Sequence, residues 1–433
     1  MKLHYSYRLI LFFICAALSI VYGQVNISPK GGNHYGLTEV KVNYPSDYKA
    51  FFTKDGSLPS KHSSVVPPVI NIDDNTVLRF LFIDNEGQKI LQTHSYITKK
   101  KHTLPIVSIA GDPGYFFDSL EGIFEMGCCA DTVSPFFGAN FWKKKERAVN
   151  FEFFENPAKA KSAVVNQIVG IKIFGGFSKA MPQKSLAIHA RKKYGSNKLK
   201  HAFFPQLPFK KYKSLVLRNG GNDMEGAHIR DVLATQLMRG TGLLYQEYRP
   251  VIVYINGKYW GKYNLREKIN EHFVEAHTDF HKDSLIIMRH NADHQHGSPI
   301  EYRKFITQLS KLDLTKKEDL DYVASKMDIR NYFLYNISQI YTANGDAGGN
   351  IRYYKHVSDT SKWRWIFYDL DATFNINGSN EVFKNSLINF TTLKDEAWPN
   401  PPWSTLMIRK LLENDSLRFL YINDFSYYLS DIF

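Results

Sequence analysis

The chain has 433 residues, 44% of them hydrophobic and 22% charged, which excludes a disordered or fibrous protein and implies at least two domains. Its formal net charge of +13 favours anionic partners such as nucleotides, acidic polysaccharides or membrane surfaces, although scattered solvated lysines account for most of it. Aromatic residues reach 15%, with 31 Phe and 26 Tyr, as many strands or an aromatic-lined groove would require.

Lys2, His4 and Arg8 form a basic start, and Leu9 to Val21 is apolar but shorter than the ~20 residues of a membrane span. Val21 and Gly23 stand at the usual cleavage positions. Residues 1–23 are therefore expected to be a signal peptide, which places the mature chain outside the cytoplasm: secreted, periplasmic or at the cell surface. Cys15 leaves with the leader. Cys128 and Cys129 are adjacent, and neighbouring Cα atoms ~3.8 Å apart lie below the usual disulfide range, so two partly buried free thiols are expected.

Residues 24–101 read as a small β domain. Glu39 to Tyr44, Ala50 to Thr53, Thr76 to Ile83 and His94 to Thr98 are strand-like, with turn signals between them, the pattern of a sandwich. This stretch resembles the immunoglobulin-like domain at the C-terminus of chitobiases and hexosaminidases, through Ile27-Ser28-Pro29-Lys30-Gly31-Gly32, Phe52 to Ser60 and Thr76-Val77-Leu78-Arg79. The likeness implies a non-catalytic spacer or a binding module with carbohydrate or cell-wall contact. Lys99-Lys100-Lys101 reads as a linker.

The second domain is expected over 104–433. Val169 to Phe174, the turn Gly175-Gly176-Phe177-Ser178, and a strand opening with Lys184 follow the order by which a kinase lobe covers nucleotide phosphates. Alone, such a turn is better explained by a plain hairpin; ahead of the Asp cluster described below, the two readings are even. Ile229, Val232, Leu233 and Leu237 recur at helical spacing, with Arg230 and Asp231 either an ordinary surface pair or a brace for the phosphate lobe. Val251 to Ile255, Asn256-Gly257 and Lys258 to Leu265 form the strongest hairpin signal. A helix over Asp328 to Tyr341, capped by Asp328, leads into Asn344-Gly345-Asp346-Ala347-Gly348-Gly349-Asn350. Strand-like runs at Ile351–Val357 and Trp363–Tyr368 then make a hairpin that ends in Asp369 and Asp371. Period-two geometry would put both carboxylates on one face if the strand continues, and the hairpin returns them beside Asp346 and Asn350. Such an oxygen cluster suits Mg²⁺ or Mn²⁺. The H-R-D and D-F-G strings of ordinary kinases are absent, and Asn350 follows Asp346 one residue sooner than in their signature.

From about residue 104 to the end, the chain resembles the CotH kinase family, secreted kinase-like proteins related to spore-coat protein CotH. The likeness rests on Gly175-Gly176-Phe177-Ser178 with Pro182-Gln183-Lys184-Ser185, on Arg218 to Asp223 with Ile229-Arg230-Asp231, and on Tyr254 to Gly261 through Arg266-Glu267-Lys268. It continues through Asn344, Asp346, Asn350, Trp363-Arg364-Trp365 and Asp369-Leu370-Asp371. The resemblance implies an α+β fold: a bilobal atypical protein-kinase-like domain behind the small immunoglobulin-like β-sandwich. It also implies ATP with Mg²⁺ or Mn²⁺ as cofactors, and a secreted or cell-surface protein as substrate, with no nucleic acid. By position, Asp346 is the catalytic-loop acid, and Asp369 holds the metal with Asn350 and Asp371. Gly175, Gly176, Ser178 and Lys184 contact the phosphates. Glu267 either pairs with Lys184 or lies at the nucleotide edge. The family continues beyond the helical segment near Leu411 to Phe419, so C-terminal truncation is one expectation. The competing readings are a non-catalytic kinase-like adhesin and a metal-dependent phosphate-ester hydrolase.

Overall fold

The computed structural model describes residues 25–159, 162–376, 385–392 and 398–433; the expected signal peptide lies outside them. The chain divides into two compact units. The first comprises residues up to 113 with 150–166 and 254–259, and the second comprises 114–149, 167–253 and 260–433. The Lys99–Lys101 run lies inside the first unit.

The first unit is built on two sheets. Asn26–Ser28, Glu39–Asn43 and Val69–Asn71 form one, and a five-stranded sheet centred on Thr76–Ile83 forms the other. Glu39–Asn43 alternates exposed and buried as its sequence implies, so Val40 and Val42 turn inward. They share a core with Ile27 and Ile70 of the same sheet and with Leu78, Phe80, Phe82 and Tyr96 of the other. The longest pairing joins Thr76–Ile83 to Lys89–Ile97 across a turn in which Asp84 Oδ1 accepts the backbone N–H groups of Glu86 and Gln88.

Ile106–Ala110 pairs antiparallel with Asn150–Phe154, which buries Glu152. Glu152 Oε2 accepts the Ser95 hydroxyl at 2.5 Å, Ser108 Oγ donates to Ser95 Oγ at 2.8 Å, and Asn166 Nδ2 reaches Glu152 Oε1 at 3.4 Å. Burial pushes this carboxyl up to about 7, against the Ser95 bonds and the more distant Arg79 charge. The folded state therefore holds a proton that the unfolded chain releases near pH 4.5. Stability should fall as pH rises from there through about 7. Glu152→Gln should remove that fall, so that wild type loses stability between pH ~5 and ~8 and the variant does not. Equal slopes in denaturant unfolding at the two pH values would assign the proton elsewhere.

The second unit carries most of an antiparallel run of strands Val165–Phe174, Ser185–His189, Ser214–Arg218 and Lys258–Glu267. Lys172, Ala187, Val216 and Arg266 stand in one row across it. Arg218, two residues beyond Val216, shares that face with Arg266, while Glu267 points to the other. Asn256 (φ 48°) and Gly257 (φ 79°) both take positive φ, as the Asn-Gly turn requires. A second sheet follows, ordered Leu244–Tyr245, Arg364–Phe367, Arg352–His356, Leu285–Arg289, Asp293–His296. Helix Ile329–Tyr341 covers it, burying Phe333 and Ile337 in one core with Trp363, Trp365 and Phe367. Asp328 caps that helix by accepting the Asn331 N–H at 3.1 Å. Helix and sheet content together make the chain mixed α+β.

The cysteine expectation needs correction. Cys128 and Cys129 are both exposed free thiols, because their loop runs over the surface between short helical turns.

Candidate active site

Helix Ile329–Tyr341 delivers the chain into the loop of residues 342–350. Asn344 is fully buried and fixes the loop start: its Nδ2 donates to Gln339 Oε1 at 2.8 Å, and its Oδ1 accepts the Asp346 N–H at 3.0 Å. Asn350 Nδ2 donates to Asp346 Oδ2 at 2.7 Å and reaches the Asp369 carbonyl at 3.5 Å. Gly345 N–H donates to the Ala372 carbonyl at 2.9 Å, which ties the entrance of the hairpin to its exit. The structure therefore brings Asp346, Asn350 and Asp369 together. Burial, then the Asp369 charge, holds the Asp346 carboxyl above its ordinary range, against the hydrogen bond from Asn350.

The two exit carboxylates do not share a strand face. The strand ends at Phe367, and Asp369 takes φ +61°, a left-handed conformation that Asp tolerates better than most residues. The turn instead directs both carboxylates onto one guanidinium. Arg218 Nη2 donates to Asp369 Oδ1 and, at 2.7 Å, to Asp371 Oδ2. Asp371 also accepts the Asn222 N–H and Asn222 Nδ2, each at 3.1 Å. Gly221 leaves room for this approach, since a Cβ there would overlap Asp371 Oδ2. Burial and the charges of Asp369 and Asp231 push Asp371 up to about 7 despite Arg218.

Arg218 has a third acid partner. Its Nε lies 3.2 Å from Asp231 Oδ2, on the helix Arg230–Gln236. Asp231 is buried, is bonded by the 1%-exposed Arg266, and accepts the Leu370 N–H at 3.0 Å. Burial opposes its charge, but Arg266 and Arg218 hold its carboxyl below the ordinary range. Asp231 is thus a brace between the strand face and the Asp369–Asp371 segment, not a surface residue. Further upstream, Asp223 orders that helix start by accepting the Ala227, Ile229 and Arg230 N–H groups at 2.9, 2.8 and 3.0 Å.

The glycine turn and Lys184 form a separate group. Gly175 takes φ +115° with Ser178 Oγ folded against it, and Gly176 faces open space. Lys184 is 5% exposed. Its Nζ donates to the Lys179 and Met181 carbonyls at 2.8 and 2.9 Å and sits 3.9 Å from the Phe141 ring centroid. Burial brings its ammonium down to about 8. The structure does not bring Lys184 to the carboxylates; its charge is spent closing the turn. Nor does Glu267 pair with it. Glu267 Oε1 lies 2.9 Å from His277 Nε2, and Oε2 accepts the Glu247 N–H at 3.1 Å, on the opposite face from Arg266. Lys184→Met keeps the stem but leaves two carbonyls without their donor, which should cost about 1–3 kcal/mol. An unchanged melting temperature with weakened ATP affinity would assign the ammonium to the nucleotide instead.

Sequence reasoning gave no role to Arg218 or Arg266, although both stand in its motifs. Their shared face was readable only once the strand register was known.

Among the described residues, no group of three or more His, Cys, Asp or Glu side chains is arranged to hold a metal ion. The donor chemistry nevertheless fits a hard dication. Asp231, Asp346, Asp369 and Asp371 outnumber Arg218 and Arg266, so the segment carries more carboxylates than cationic partners.

A mixed α+β domain thus joins a strand arginine to a helix acid and to paired loop aspartates. A family model described as CotH kinase protein matches residues 171–433, and the chain belongs to that family. A search of curated proteins found no match.

Proposed function

We propose that this chain transfers the γ-phosphoryl group of ATP to protein hydroxyls with Mg²⁺ or Mn²⁺, in a kinase-like domain behind a non-catalytic, immunoglobulin-like module. The observation that carries this reading is the set of contacts made by Arg218. Protein kinases need a strand Lys paired with an acid on the following helix, together with a metal-binding Asp. Here Arg218 follows the glycine-turn hairpin, pairs with Asp231 of the next helix and touches Asp369. Arginine supplies the same charge permanently and in a fork that can engage several oxygens at once.

Within that frame, Asp346 orients the acceptor hydroxyl and takes its proton, held in place by Asn350 and by the Asn344 turn. Asp369, with Asn350 and Asp371, would hold the divalent ion, which neutralises phosphate charge when bound. Lys184 keeps the turn of Gly175, Gly176 and Ser178 folded where its free amides can approach phosphate oxygens. The leader reading puts the acceptors among secreted or surface proteins.

Mn²⁺ with ATP should raise the melting temperature, and ATP with a chelator should not. Labelled γ-phosphate should then appear on an added protein acceptor. A shift with metal alone and release of phosphate from simple esters would favour a hydrolase. No response to either addition would favour a non-catalytic adhesin.

A further inference from the structure

Lys268 has no role in the site above and no counter-ion of its own. It follows directly on strand Lys258–Glu267, and its Nζ makes no hydrogen bond and no ion pair among the described residues. Its nearest named contact is the Phe174 ring, 5.8 Å away at the centroid. Burial brings its ammonium down to about 8, and the charges of Arg352, Lys172 and Arg191 push the same way, opposed by Glu271. A cation held among cations costs stability unless an anion joins it.

Room for an anion lies beside it. Lys268 and Ser214 line a cavity of about 200 Å³ together with Lys198, Lys211, Lys213 and His272. None of the four lysines has an ion pair among the described residues, and Lys213 Nζ reaches only the Asn197 carbonyl, at 3.3 Å. Two acids stand in the wall, and both are engaged. Glu267 meets His277 and the Glu247 N–H, and Glu275 accepts the Lys282 N–H at 3.1 Å and lies 3.5 Å from His272. Glu146, close to Arg191, is held by that residue at 2.8 Å and by Lys193 at 3.3 Å.

The cavity is tied to the loop that carries Asp346. Arg352 Nη1 donates to the carbonyl of Ile269, next to Lys268, at 3.3 Å, and the Arg352 guanidinium carbon sits 4.5 Å from the Tyr368 ring centroid. Arg352 comes two residues after Asn350, and Tyr368 immediately before Asp369. An extended acceptor, at ~3.3 Å per residue, spans from Asp346 towards Lys268 in a few residues. Four lysines call for more than the single charge of a carboxylate. A phosphate on a side chain carries about −1.5 to −2 at neutral pH. The phosphates of ATP go to the metal at Asp369, so this group comes with the acceptor.

We propose that the lysine cavity is a phosphate site for an acceptor already phosphorylated at a neighbouring residue, so that one phosphorylation directs the next. This rests on the kinase reading above. With the first phosphate held among Lys198, Lys211, Lys213 and Lys268, the next hydroxyl lies on Asp346 and gives it its proton. The acceptor oxygen bonds to the γ-phosphorus as the bond from that phosphorus to the ADP oxygen breaks, and the phosphate already in place is kept.

The test uses the full chain with Mn²⁺-ATP and two peptides that share one acceptor Ser, one of them carrying phosphoserine a few residues away and the other Ser. KM should be about tenfold lower for the phosphopeptide, the scale of one charged hydrogen bond. Lys268→Met and Lys213→Met should each erase most of that preference while the unphosphorylated peptide reacts as with wild type. Lys268→Met should melt no lower than wild type, since it removes a buried, repelled ammonium, an outcome that a structural support would not give. Without nucleotide, the phosphopeptide should raise the melting temperature of wild type and not of Lys268→Met. Equal KM values for the two peptides overturn the proposal and leave the kinase reading standing. Weaker Mn²⁺-ATP binding in Lys268→Met overturns it too, by assigning the lysine to the nucleotide. Transfer to neither peptide removes the kinase reading, and the phosphopeptide melting shift then decides the phosphate site by itself.

Discussion

Arg218→Met is expected to cost about 3–5 kcal/mol, the range for removing one partner of a buried ion pair. It should abolish phosphotransfer as well. The guanidinium is shared by Asp231, Asp369 and Asp371, and the side chains of Asp231 and Asp371 are nearly inaccessible. Without it, Arg266 still pairs with Asp231, but Asp369 and Asp371 keep no cationic partner among the described residues. The folded Asp371 carboxyl, already raised by burial, would then rise further above its unfolded value. Such a group binds more protons folded than unfolded, so the deficit should shrink as pH falls towards ~4 and grow as pH rises through neutrality. Arg218→Lys keeps the charge but loses the fork, and should recover only part of the stability. A loss below ~1 kcal/mol, independent of pH, would show that these acids are organised around something else.

The parts of this architecture legible in the sequence were local. Asn256-Gly257 announced a turn needing two positive φ values, and the structure has them. Helix Ile329–Tyr341 and its Asp328 cap follow from apolar spacing and one capping side chain. The hairpin Arg352–His356 with Arg364–Phe367 follows from its aromatic and β-branched residues. What was not legible depends on partners far along the chain. The Arg218 contacts with Asp369 and Asp371 span 151 and 153 residues. Extending the strand beyond Phe367 was reasonable by alternation, but the left-handed Asp369 breaks it, and a single residue's conformation carries no periodic signal. Lys184 looked like a phosphate contact because it opens the second strand of a glycine hairpin. Its direction was set by Phe141 and two carbonyls of its own turn, which strand spacing does not encode. The close approach of Pro399 to Gly348 and of Trp398 to Gly349 became visible only in three dimensions.

Asp369→Asn should abolish metal-dependent transfer while leaving the fold intact. Asn accepts the left-handed backbone at least as readily as Asp, so the substitution adds no strain at φ +61°. It removes one negative charge from the surplus around Arg218. Asp371, raised partly by the Asp369 charge, should come down, and stability should hold or rise. The catalytic consequence is the opposite, because phosphoryl transfer depends on charge neutralisation at the phosphates, and a lost electrostatic group typically costs about 10²–10³-fold or more. Asp346→Asn should separate from this. It removes the proton acceptor but not a principal metal ligand, so Mn²⁺-ATP affinity should persist while transfer falls about 10²–10⁴-fold. The two variants are compared by Mn²⁺-ATP affinity, transfer rate and melting temperature. Asp369→Asn at the wild-type rate would mean that the metal is held elsewhere. Wild-type rates in both variants would remove the kinase reading of this hairpin.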